Sequence, residues 1–129
     1  MVWRCYCYGC HYGLVQGYAD QSFRPNAQIT REEMSVMGAR ALRILQNGVK
    51  QGTGTEVILA TGESTDLVSG YADGSQLHSW SQAEVELMLQ AGIMQGQSKD
   101  KFAPASRTTR AEAAAILSRL LAAVKLLNP

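Results

Sequence analysis

One block of residues occurs twice at a fixed interval. Gly13-x3-Gly17, Phe23-x-Pro25 and Thr30-Arg31-x-Glu33 return as Gly92-x3-Gly96, Phe102-x-Pro104 and Thr109-Arg110-x-Glu112, each element 79 positions on (92 − 13 = 79 and 112 − 33 = 79). Gln16, Arg40 and Leu42 return as Gln95, Arg119 and Leu121 in the same register. A register held through glycine, phenylalanine, proline and a charged tetrapeptide is an internal repeat. It restricts the fold to something built from copies of one small unit. Such a unit usually presents a surface more than once and seldom forms one buried catalytic centre.

The bulk properties narrow the function classes. A chain of 129 residues makes one domain or two small units, and its 46% apolar content suits a globular fold. With 12 basic and 11 acidic side chains the net charge is +1, which leaves no basic patch for nucleic acid and no polybasic run for anionic lipid. An anionic ligand would have to be read by a few placed residues. No apolar run approaches the roughly 18 residues of a membrane span. The segment Met1–Cys7 lacks the apolar core of a signal peptide, so an export signal is expected outside this chain. Cys5, Cys7 and Cys10, followed by His11, raise the question of a metal. Their spacing fits no usual zinc knuckle, no second ligand pair exists, and the other histidine is His78. Neither a metal site nor a cofactor is expected.

Three helix starts are legible as capping boxes, Ser/Thr-x-x-Glu. Ser81 and Glu84 open a helix over about 81–91, with Trp80 and Val85 placed as a hydrophobic staple and Gly92 as the stop. Thr30 and Glu33 open a second helix to about 46, with Ile29 and Met34 as staple and Met34, Met37, Ala41, Ile44 and Leu45 on its apolar face. Thr109 and Glu112 open a third to about 126, with an apolar stripe of Ala113, Ile116, Leu117, Leu120, Leu121 and Val124. Equal-length loops precede the second and third starts, with Phe23 and Phe102 as their plugs into the core and Pro25 and Pro104 as stiffeners. The expected division is a partial repeat over 1–46, a Gly- and Thr-rich linker over 47–69 with one short apolar run, and a fuller repeat over 70–129. The first copy has no complete front helix to cover its core face, so the chain is expected to self-associate or to borrow helices from a missing neighbour.

These residues resemble the S-layer homology domain of bacterial cell-surface proteins. The second copy carries Tyr71-Ala72-Asp73, Trp80, Gly92-Ile93-Met94-Gln95-Gly96, Phe102-Ala103-Pro104 and Thr108-Thr109-Arg110-Ala111-Glu112. The first carries Gly13 to Asp20, Phe23-Arg24-Pro25 and Ile29-Thr30-Arg31-Glu32-Glu33. The resemblance covers about 13–46 and 71–124 and implies an all-α protein of helix-loop-helix repeats, here an incomplete pseudo-threefold bundle. It also implies a noncatalytic module at the cell surface, bound noncovalently to cell-wall glycan, in many members a pyruvylated secondary cell wall polymer. The implied partners are that glycan and further repeats in the same or another chain. Tyr-x-Asp-Gly of the family pattern is replaced in the second copy by Gln97-Ser98-Lys99-Asp100.

Each candidate residue has two readings. Glu33 and Glu112, like Ser81 and Glu84, are explained by capping alone, and two glutamates in separate caps do not make the acid/base pair of a glycoside hydrolase. Arg31 and Arg110 sit where a cation faces the positive end of a helix dipole, so each needs a compensating partner. That partner is either a ligand carboxylate, met together with the free amides beside Thr30 and Thr109, or an acidic residue of the neighbouring repeat. Trp80 is either a staple or a platform for a sugar face. Tyr18 is a groove candidate, although its copy is Gln97.

Overall fold

The computed structural model describes residues 13–20, 22, 24, 26–49 and 66–123. Helix α1 spans Arg31–Val49, α2 Gln82–Gln90 and α3 Arg110–Ala123, and two 3-10 turns at Val68–Gly70 and Gly74–Gln76 precede α2. Among the described residues there is no strand; a lone antiparallel bridge joins Thr30 to Arg107. The protein is all-α, built from helix-loop-helix repeats.

The two threonine caps form as the sequence predicts. In α1 the Thr30 hydroxyl accepts the Glu33 N–H at 3.2 Å, and Glu33 Oε2 accepts the Thr30 N–H at 2.9 Å. In α3 the same exchange between Thr109 and Glu112 measures 3.1 and 2.8 Å. The third expected box does not form. Ser81 stands at the cap of α2 but makes no capping bond, because its hydroxyl donates to the carboxylate of Glu32 in the other copy. Glu84 instead pairs with Arg43 of α1 at 2.7 Å. A charged acceptor in reach outcompetes a backbone amide for a serine hydroxyl. The Trp80–Val85 staple is absent too. Val85 is buried, whereas Trp80 is 55% exposed with its ring stacked on His78 at 5.5 Å.

Both copies contribute to one core. Ala39 and Leu42 of α1 cluster with Leu77, Val85, Met88, Ile93, Met94, Phe102, Ile116 and Leu120. The cover for the first copy comes from the chain itself and not from a missing neighbour or a second copy, since α1 lies against α2. The expected face of α1 packs only in part: Met34, Ala41 and Leu45 lie against the core without being fully buried. Met34, Met37, Ala41, Ile44 and Leu45 are only half-buried, while Ser35, Val36, Gly38, Ala39 and Leu42 are buried. Small side chains let the helices approach: a Cβ on Gly38 would lie 2.4 Å from Met88 Cε. Bulk marks a stripe in the sequence, but the contact seam selects residues that are short. In α3, Ile116 and Leu120 are buried as expected and Leu117 is not, at 53% exposed.

The loop before α3 shows why its sequence is what it is. Gly92 ends α2 at φ 69° and Gly13 holds φ 74° in the first copy, a left-handed conformation that glycine adopts without penalty. Phe102 is buried at 1% exposure, edge-on to Tyr71 at 5.9 Å, and acts as the expected plug. Ala103 and its counterpart Arg24 both take positive φ, 57° and 48°. That strain is held in the second copy by Asp73, whose carboxylate accepts the N–H of Phe102 at 2.9 Å and of Ala103 at 2.7 Å. Phe23, Pro25, the Cys5–His11 run, Val124 and the apolar run of the linker lie outside the described residues.

Candidate functional site

The copies meet head to tail at the start of α1. The Arg31 N–H donates to the Ser106 carbonyl at 2.8 Å and the Glu32 N–H to the Pro104 carbonyl at 3.1 Å. Thr108 N–H donates back to the Ile29 carbonyl at 2.7 Å. Two of the amides that a helix start leaves without intrahelical partners are thereby satisfied by the loop of the second copy.

Arg31 completes the joint. It is 5% exposed, with Nε donating to the Phe102 carbonyl at 2.9 Å, Nη1 to Glu112 Oε1 at 3.0 Å and Nη2 to the Gln95 carbonyl. The guanidinium carbon lies 5.3 Å from the Phe102 ring centre. Of the two partners weighed for the repeated arginines, Arg31 has the acidic residue of the neighbouring repeat. Three acceptors, one of them charged, offset the unfavourable placing of a cation at a helix start. Glu112 serves both sides: Oε2 closes its own capping box and Oε1 holds Arg31. Its carboxyl is held below the ordinary value, chiefly by the Thr109 N–H, against burial and with help from the Arg31 charge.

Glu32 carries the other half of the joint, and the sequence pattern assigned it nothing. It is 5% exposed and accepts from the His78 N–H at 2.8 Å and from the Ser81 hydroxyl, with His78 Nδ1 at 3.0 Å from both its oxygens. Burial pushes its carboxyl upward, but the bonds from Ser81 and from the backbone and ring of His78 outweigh it, and the net displacement is downward. The counterpart of Glu32 is Ala111, so the repeat itself gave no signal for this role.

The same start on α3 is open. Arg110, Thr109 and Ala111 are exposed, and among the described residues the N–H groups of Arg110 and Ala111 have no backbone acceptor. The structure therefore divides the predicted site residues into three places. Thr30, Arg31, Thr109 and Glu112 meet across the joint, with Arg110 beside Thr109 at its open side. Trp80, with His78, flanks the start of α1 through Glu32. Tyr18 stands apart, its ring 4.4 Å from the guanidinium carbon of Arg24. Glu33 keeps to its cap. A surface cleft of about 630 Å³ is lined by Asp66 and Glu86 and by no cation, so it does not suit an acidic polymer. No cluster of three metal-binding side chains occurs among the described residues.

A helical module in which one copy of a charged helix start is sealed by its neighbour and the other is presented to solvent belongs to the class of repeat-built helical modules. The family model of the S-layer homology domain matches residues 11–35 and 70–114. The chain belongs to the S-layer homology domain family. It is 31% identical over 109 residues to an amylopullulanase of Thermoanaerobacterium thermosulfurigenes, covering 84% of this chain and 5% of that protein. It is 30% identical over 117 residues to cell surface glycoprotein 1 of Acetivibrio thermocellus, covering 91% of this chain and 4% of that one. To a cellulosome-anchoring protein of the same organism it is 28% identical over 108 residues, 84% of this chain and 21% of that protein. The chain thus spans about a fifth or less of these relatives. The domain it carries is a wall-binding module of cell-surface proteins and is not of a catalytic kind. No described helix is long and apolar enough to cross a membrane.

Proposed function

We propose that this chain anchors a larger surface protein noncovalently to bacterial cell-wall polysaccharide, and that the ligand is an acidic secondary cell wall polymer met by the start of α3. One observation carries this reading. The sequence Thr-Arg-x-Glu is answered in α1 by a carboxylate and backbone carbonyls, and in α3 the same cation and the same free amides face solvent. A carboxylate such as that of a pyruvyl ketal matches the fork of Arg110 and the two amides behind it. Thr109 adds a hydroxyl at the rim, and the exposed Trp80 offers a flat face for a sugar ring. The names of the anchoring and surface-glycoprotein relatives accord with this use.

The test is sedimentation of the chain with purified sacculi, before and after hydrofluoric acid strips the attached polymers. Binding is expected before treatment and not after. Arg110→Ala should weaken it about ten- to a hundredfold, the worth of a charge-assisted contact, and leave melting unchanged. Equal binding of the variant, or of stripped sacculi, overturns the reading. A second reading, an assembly module without glycan binding, is favoured by the Arg31 joint, where the same motif grips protein. It predicts no binding to either preparation by a folded chain.

A further inference from the structure

We infer that His78 is a positioning residue for glycan binding: pinned by Glu32 of the first copy, its ring holds Trp80 of the second as a one-faced platform for a sugar. The inference rests on the glycan reading. It adds a residue that neither copy of the repeated motif contains, and it ties the platform to the joint between the copies.

The pin begins at a buried carboxylate. Glu32 is ionised and can only accept, and His78 Nδ1 lies 3.0 Å from each of its oxygens, so Nδ1 carries a proton. The His78 N–H donates to the same carboxylate at 2.8 Å, which fixes the backbone as well as the ring. A flip of the ring would set a carbon against the carboxylate and forfeit the Nδ1 bond. The imidazole is therefore held in one orientation although its side chain is 65% exposed.

Trp80 uses that fixed ring. It has left the staple position and is 55% exposed, with the imidazole stacked on it at 5.5 Å and 16° between planes. An indole in water with nothing beneath it would rotate freely. Here one face is backed and the other is left to solvent. A pyranose lays a flat patch of C–H bonds on such a face, and a ring already held in place spares the cost of ordering it on binding. Glu32 belongs to α1, so this order reaches Trp80 only while the two copies are joined.

The test compares two exchanges at His78 in a Trp3→Phe background, where Trp80 is the one emitting indole. His78→Asn places an amide donor where Nδ1 stands, so the joint is kept while the ring is removed. Melting should stay near wild type, the emission anisotropy of Trp80 should fall, and binding to untreated sacculi should weaken about two- to tenfold, the cost of ordering one side chain. His78→Phe returns a ring beneath the indole but gives Glu32 no side-chain donor. It should melt lower than His78→Asn and yet hold Trp80 more rigidly and bind more tightly. A residue that served the joint alone would give the opposite order, with binding following melting. That order, or an anisotropy unchanged in His78→Asn, overturns the assignment. Binding lost in Arg110→Ala but equal to wild type in His78→Asn sinks the platform and spares the anchor. A wild type that binds no sacculi takes down both.

Discussion

In the loop before α3, Asp73 reaches from the preceding turn to the amides of Phe102 and Ala103, the Tyr71 hydroxyl accepts the Gly96 N–H at 3.1 Å, and the Ala72 N–H meets the Asp100 carbonyl at 2.8 Å. Around the corresponding turn in the loop before α1, the contacts of Asp20 and Arg24 among described residues are made within the loop itself. Asp20 accepts from the Ser22 N–H and hydroxyl and from Arg24 at 2.8 Å, and Arg24 lies over Tyr18. Yet Arg24 and Ala103 share the same left-handed backbone. One conformation is thus maintained in two ways, by a part-buried tertiary clamp and by an exposed local turn. The helix starts differ in the same direction: the one at Arg31 is enclosed and the one at Arg110 is not. Equal letters in a repeat do not carry equal energies, because the energy lies in what surrounds them.

That contrast can be broken by substitution. Arg31→Ala should have the largest effect, about 2–4 kcal/mol of unfolding free energy, since it strips a buried guanidinium from a partly exposed carboxylate and two carbonyls. Denaturant unfolding measures it, and a loss as small as that of Arg110→Ala would mean that the joint does not hold the copies together. Acid should remove part of the same stabilisation. Glu32 and Glu112 both have folded values below the ordinary 4.5, so their contribution is complete above that value and is lost as pH falls through the lower folded values. Melting temperature should be level down to about pH 5 and decline below it. In Glu32→Gln the decline should be shallower, and an unchanged slope would remove Glu32 from the account.

Asp73→Ala comes next, at about 1–3 kcal/mol for two amides left without their acceptor and a strained Ala103 left unsupported. Asp20→Ala should hardly move the melting temperature, although its carboxyl is held well below the usual range by Ser22 and Arg24, because the turn is exposed to solvent. If Asp20→Ala cost as much as Asp73→Ala, the division between tertiary clamp and local turn would fail.

Local features were legible in the sequence. The Thr30/Glu33 and Thr109/Glu112 caps and the Phe102 plug follow from side chains within a few positions of the atoms they satisfy. Ser81-x-x-Glu84 has the same letters and does not form a box, since Glu32 and Arg43 arrive from another element with stronger offers. The expected face of α1 is right in Met34, Ala41 and Leu45 and misses the buried centre of the seam for the related reason that Gly38 and Ala39 matter for the room they leave, which no hydrophobic periodicity records. Glu32 had no signal at all, its partners His78 and Ser81 being set by the fold. The choice between ligand and neighbour for Arg31 was open in the sequence and turns on Glu112, which lies 81 positions away.

Glu112 has a consequence for how the two halves of this gene can drift. Its two oxygens perform two tasks, starting its own helix and holding Arg31, so an exchange must preserve both acceptors at once. Glutamine would retain one and turn an amide donor towards a guanidinium that has only donors. At Glu33 the same exchange keeps the capping acceptor and meets no buried cation among the described residues. Among variants retained by selection for folding, position 112 should therefore stay glutamate while position 33 admits glutamine, and the duplicated motif should erode from its first copy.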